Sequence, residues 1–185
     1  MNNKKLIFLV LAILVIIFLL LKNAGVCLEI TSDSNIQETA CERSVRLIDL
    51  TADNFNDIRF DSQYAVVFFW TTWCGNCKSA LPKTIQFCEE NKIDLILVNN
   101  DSMNKKKVKQ VLCEYGLAQG YYLSEENTLI NALKDADRIS NFMNKIGSKF
   151  SQQSGYPYTI IINQQNQIVD EYVGSFDLNK LLILK

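Results

Sequence analysis

Cys74 and Cys77 stand as a C-x-x-C pair inside Trp73-Cys74-Gly75-Asn76-Cys77-Lys78. Two cysteines at that spacing can close a small disulfide ring and open it again. The apolar run Tyr64-Ala65-Val66-Val67-Phe68-Phe69 precedes them, and Leu81, Ile85 and Cys88 follow at helical spacing. The pair thus falls at a strand-to-helix junction. Unpaired N–H groups and the helix dipole there favour a thiolate on the first cysteine. The chemistry this supports is two-step exchange. Cys74, at the helix start and partly exposed, attacks a substrate disulfide. Cys77, one turn in and more buried, resolves the mixed disulfide. Trp73 flanks Cys74, and Gly75 and Asn76 shape the ring.

The elements around the pair can be read in order. The 45–50 stretch alternates as a strand, and 64–70 is a continuous apolar run suited to a central strand buried on both faces. A helix covers 77–91, with Pro82 expected to kink it. A second apolar strand, 93–100, ends in Asn99-Asn100-Asp101. The 103–117 stretch reads as a helix with lysines outward, and 121–123 as a short extended piece. Helical patterning then runs over 125–153, as one interrupted helix or two. Tyr156-Pro157 leads a β-branched strand, where the missing proline donor does no harm. A polar turn at 164–167, a return strand at 168–174 and a short helix at 178–184 complete the chain.

The N-terminus is a separate problem. Residues 6–21 are an unbroken apolar run behind two lysines, closed by Lys22. As a helix it rises about 24 Å, short of a hydrocarbon core of roughly 30 Å; extended to Leu28 with Lys22 snorkelling, it reaches about 34 Å. The flanking charge sets the N-terminus inside and the rest outside. A signal-anchor over 1–28 is the reading adopted. A cleaved signal or a lipoprotein box at Cys27 remain open, although Lys22, Asn23 and Val26 sit badly for cleavage. Residues 29–45 read as a linker, and 46–185 as the folded domain.

Composition excludes several classes. A net charge of −1 gives no basic footprint for nucleic acid, and the absence of histidine removes the commonest general base and metal ligand. A zinc module is disfavoured because Cys74 and Cys77 supply half a ligand set, with no second C-x-x-C. No cofactor is implied. Six cysteines are too few for a disulfide-built scaffold at 185 residues, yet Cys27 and Cys41 can pair in an oxidising compartment. Cys88 and Cys113 read as buried core thiols, with a bridge between them as the alternative.

The order strand, C-x-x-C helix, strand, helix, X-Pro-led hairpin and last helix resembles the thioredoxin fold, an α/β architecture with a central mixed sheet flanked by helices. Trp70-Thr71-Thr72-Trp73-Cys74 with Pro82 and Tyr156-Pro157-Tyr158-Thr159 resembles the TlpA-like membrane-anchored thiol-disulfide oxidoreductases. The resemblance covers roughly 46–185. It implies a cis Pro157 beside the pair, with Tyr156 offering backbone groups to an extended substrate peptide. It further implies a single-pass protein of the cytoplasmic membrane whose catalytic domain faces the periplasm or outer surface. The chain would act on protein thiols and disulfides, as a reductant fed by a membrane thiol carrier, with targets such as cytochrome c precursors. An oxidant or isomerase, or a redox-inactive binding module, are the alternatives. The sequence departs from the pattern at Phe68 and Ala80, where relatives carry an acid that helps move the proton of the buried cysteine.

Overall fold

The computed structural model describes residues 38–101, 104–124, 135–150 and 155–174. The apolar run at 6–28, the expected last helix at 178–184 and the cysteine at position 27 lie outside the described residues. Among those described, no helix is long and apolar enough to cross a membrane.

In chain order the elements are α1 (Ala40–Ser44), β1 (Arg46–Leu50), a 3-10 turn (Phe55–Asp57), β2 (Tyr64–Trp70) and α2 (Gly75–Asn91). They continue with β3 (Asp94–Asn99), α3 (Lys105–Glu114), β4 (Gln119–Leu123), α4 (Asp135–Lys145), β5 (Tyr158–Asn163) and β6 (Ile168–Val173). The strands form one mixed sheet in the order β1-β4-β3-β2-β5-β6. β1, β4, β3 and β2 run parallel, while β5 pairs antiparallel with both β2 and β6.

β2 is central because every residue from Ala65 to Trp70 is buried. Side chains alternate across a strand, so this one run feeds two cores. Ala65, Val67 and Phe69 face one cluster with Ile160, Ile162 and the α4 residues Ile139, Phe142 and Met143. Phe68 and Trp70 face the other, with Leu97, Leu81 of α2 and Val108, Val111 and Leu112 of α3. The result is helix layers on both faces of the sheet, with the C-x-x-C pair at the β2–α2 junction.

Helix ends follow local chemistry. The 125–153 pattern does not stay helical to its end: α4 stops at Lys145, and 148–150 are irregular. Gly147 takes φ +77°, and the Ser148 N–H closes on the Met143 carbonyl at 2.9 Å. That closure satisfies orphan carbonyls through a left-handed residue, which glycine adopts without strain. Gly116 ends α3 the same way, at φ +69° with Leu117 N–H on Leu112 O at 2.9 Å.

The expected linker contains structure. Thr39 Oγ1 accepts from Glu42 N–H at 3.2 Å, and Glu42 Oε2 accepts from Thr39 N–H at 2.7 Å. This capping box starts α1. Five residues cannot hold a helix alone, so α1 depends on tertiary ties. A disulfide joins Cys41 to Cys113 of α3, and Lys109 pairs with Glu38 at 3.7 Å. The Cys27–Cys41 pairing and the reading of Cys113 as a buried core thiol are therefore corrected, while Cys88 is the buried core thiol expected. Cys41 bonds Cys113 rather than Cys27, and Cys88 is free and buried rather than bridged to Cys113. Cys88 lies on the α2 face against Val66 and Ile161, away from α3, and Cys113 is turned toward α1.

Candidate active site

Cys74 is the N-cap of α2, with extended backbone at φ −80° and ψ 106°. Its sulfur accepts the Cys77 N–H at 3.0 Å, one of the donors the first helical turn leaves unpaired. Cys74 and Cys77 are joined in a disulfide, with Cα atoms 5.3 Å apart. Cys74, expected to be partly exposed, is only 7% exposed. It belongs to a cluster with Phe68, Trp70 and Leu81, and Tyr156 packs against that cluster. Cys77 is completely buried, as its position one turn into the helix requires.

Trp73 behaves differently from its neighbours. It is 63% exposed although it stands beside a buried cysteine. Its ring meets Tyr156 edge-to-face, with centroids 5.9 Å apart at 86°. The Tyr156–Pro157 peptide is cis, as the resemblance implied, and Gly174 N–H closes on the Pro157 carbonyl at 2.8 Å. Trp73, Cys74, Cys77 and Tyr156 are therefore brought together from two ends of the domain. Gly75 and Asn76 are exposed on the ring. A Cβ at Gly75 would meet nothing within 4 Å, so local space does not demand glycine there.

The position expected to hold a buried acid, Phe68, is apolar and packed in the same cluster as Cys77. The carboxylate that does reach the loop comes from the end of β3. Asp101, 4% exposed, accepts the Thr72 N–H with Oδ2 at 3.0 Å and Oδ1 at 3.2 Å. Its own N–H donates to Asn99 Oδ1 at 2.9 Å, and its carbonyl accepts the Tyr122 hydroxyl. Asp101 thus anchors the loop two residues before Cys74. The polar Asn99-Asn100-Asp101 ending of an otherwise apolar strand was its signal in the sequence. Neighbouring Asn100 carries a second network: Arg138 of α4 donates through Nε to its Oδ1 at 2.8 Å, and its own Nδ2 donates to the Tyr156 hydroxyl at 2.5 Å.

Away from this loop, burial pushes the Cys88 thiol up to about 12, with Asp94 and Glu89 adding to it. Cys88 is therefore a core thiol with no thiolate character at neutral pH.

The Redoxin family model matches residues 47–181. The chain belongs to the Redoxin family. Cys74 and Cys77 fall within the matched range. It is 28% identical over 74 residues to protein disulfide isomerase-like 1-2 of Oryza sativa subsp. japonica, a match spanning 38% of this chain and 14% of that protein. It is 30% identical over 63 residues to a thioredoxin of Streptomyces coelicolor, spanning 34% of this chain and 46% of that one. Both matches span well under two thirds of the curated relatives. Among solved structures, a thio-disulfide isomerase from Thermus thermophilus superposes with TM-score 0.48 at 19% identity, covering 67% of this chain and 78% of the other.

Proposed function

We propose that the Cys74–Cys77 pair catalyses thiol–disulfide exchange with protein disulfides outside the cytoplasm, as a reductant. The observation that carries the reading is the Cys74 sulfur at the head of α2, on the Cys77 N–H at 3.0 Å. In the dithiol form the same donor stabilises a Cys74 thiolate.

In the first step the Cys74 thiolate bonds one sulfur of the substrate disulfide. That disulfide breaks, and its other sulfur leaves as a thiolate and takes a proton. In the second step Cys77 loses its proton and bonds the Cys74 sulfur. The bond from Cys74 to substrate breaks, and the second substrate sulfur is protonated. Two electrons and two protons have passed to the substrate, and the chain is left as the Cys74–Cys77 disulfide. With Phe68 and Ala80 apolar, the Cys77 proton passes to the departing substrate sulfur or to water rather than to an acid at those positions. A membrane dithiol carrier returns the two electrons.

The domain faces the periplasm or another extracytoplasmic space, held at the cytoplasmic membrane by residues 6–28. Two features support this placement: the apolar run behind Lys4 and Lys5, and the Cys41–Cys113 disulfide. Cys41 is exposed, and a reducing cytosol would open such a bond. Alkylation of acid-quenched cells tests both halves. The expected result is Cys74 and Cys77 mostly reduced with Cys41 and Cys113 oxidised. A Cys74–Cys77 pair found mostly as disulfide would overturn the reductant direction. Reduced Cys41 and Cys113 would overturn the compartment.

A further inference from the structure

Asn100 sits at the end of β3 with its backbone N–H on the Trp70 carbonyl at 3.0 Å. It is completely buried. Arg138 on α4 is 7% exposed, and a guanidinium buried to that degree must be hydrogen-bonded. It bonds Asn100 twice, Nε to the side-chain Oδ1 at 2.8 Å and an Nη to the backbone carbonyl.

The chemistry of these groups fixes the direction of the relay. A guanidinium has donors and no acceptor, so the Asn100 atom facing it must be the oxygen. The amide nitrogen then has to face the other way, where it donates to the Tyr156 hydroxyl at 2.5 Å. Arginine therefore sets the amide, and the amide sets the phenol. At its other edge the Tyr156 ring packs on Trp73, beside Cys74. Arg138 itself lies in a helix whose apolar residues pack on the sheet face opposite α2. The relay connects that layer, through the strand end, to the exposed side of the active site.

We propose that Arg138 is a positioning residue which, through Asn100, fixes Tyr156 against Trp73 and so holds the wall on which a substrate peptide docks beside Cys74. The proposal rests on the exchange reading above. A peptide disulfide senses this wall along several residues. A small aromatic disulfide needs only the sulfur of Cys74. The two substrates should therefore separate when the relay is cut.

The test uses the full chain in mild detergent, reduced beforehand, with a peptide disulfide and with 5,5′-dithiobis(2-nitrobenzoate). Arg138→Met removes the donors. Arg138→Lys keeps the charge but replaces the planar fork with a single ammonium that does not match both oxygens. Tyr156→Phe removes only the hydroxyl, and remains informative if the arginine variants do not fold. Expected are a KM for the peptide raised about tenfold in Arg138→Met and in Tyr156→Phe, with kcat changed far less. The loss of kcat/KM toward the peptide in Arg138→Met should exceed the loss toward the small disulfide by at least fivefold. Lysine should restore less than half of the effect, and the double variant should be no worse than either single one, as expected for one network. Parallel losses on both substrates, a wild-type KM in Tyr156→Phe, or additive single effects would overturn the relay. A wild-type chain that exchanges neither substrate would instead overturn the exchange reading.

Discussion

Replacing Cys41 and Cys113 together by alanine removes a cross-link between residues separated by 72 positions. In the chain-entropy description, closing a loop of that size in the unfolded state removes about 15 cal/mol/K, or about 4 kcal/mol at 25 °C. Residual structure in the unfolded chain trims this, so the expected loss is about 3 kcal/mol. The side chains themselves contribute little beyond the bond. Cys41 is exposed and Cys113 half-buried, so the alanines leave no large cavity. A domain of this size is stable by about 5–15 kcal/mol, so the loss is a large share of the whole. It corresponds to roughly 10 °C in Tm. Urea unfolding of the full chain in mild detergent, with Cys74–Cys77 kept oxidised in both proteins, is the assay. The m-value should rise with the loss of stability, because the uncrosslinked chain exposes more surface. A stability change below about 1 kcal/mol, with m unchanged, would refute the view that this bond holds α1 onto the domain.

Other outcomes follow from single groups. Cys88, with its thiol at about 12, should resist iodoacetamide at pH 8 in the folded chain and react fully in denaturant, as mapped by mass spectrometry. Burial opposes ionisation of Asp94, but bonds from the Ser62 N–H, the Ser62 hydroxyl and the Asp61 N–H outweigh it and hold its carboxyl below the usual range. A depressed folded pKa gives stability that is present above the unfolded value and lost as pH falls through the folded one. Asp94→Asn should therefore be less stable than wild type at pH 7, with the gap closing below about pH 4 in urea titrations. Asp101→Ala leaves the buried Thr72 N–H without its acceptor, and should cost about 2 kcal/mol in the same assay.

Much of the fold was legible because the signals were local and periodic. The Tyr64–Trp70 run announces a strand buried on both faces, and the helical spacing of Leu81 and Cys88 gives α2 its inner side. The pair Cys74 and Cys77 was legible for the same reason, its two members being one turn apart. The Cys41–Cys113 bond was not, because it depends on a strand pairing. β1 and β4 run parallel, with Arg46 opposite Gln119. Cys41 lies five residues before Arg46 and Cys113 six before Gln119, so the helices leading into two paired strands lie side by side. The capping box at Thr39 and Glu42 was a readable sign that residues before β1 were ordered. Asp101 and Asn100 were visible as polar residues ending an apolar strand. Which loop each would hold depended on the β2–β3 register that sets Trp70 opposite Asn99. The Arg138 network spans 38 residues of sequence to Asn100 and carries no local pattern at all.

The central claim is that Cys74 attacks and Cys77 resolves. Trapping tests it directly: Cys77→Ala and Cys74→Ala variants of the full chain are each mixed with a peptide disulfide, and the adducts are read by mass spectrometry without reductant. The account predicts that Cys77→Ala accumulates a mixed disulfide at Cys74 while Cys74→Ala, whose remaining active-site thiol is completely buried, accumulates almost none. Equal trapping on both variants, or trapping on Cys77 alone, would contradict it.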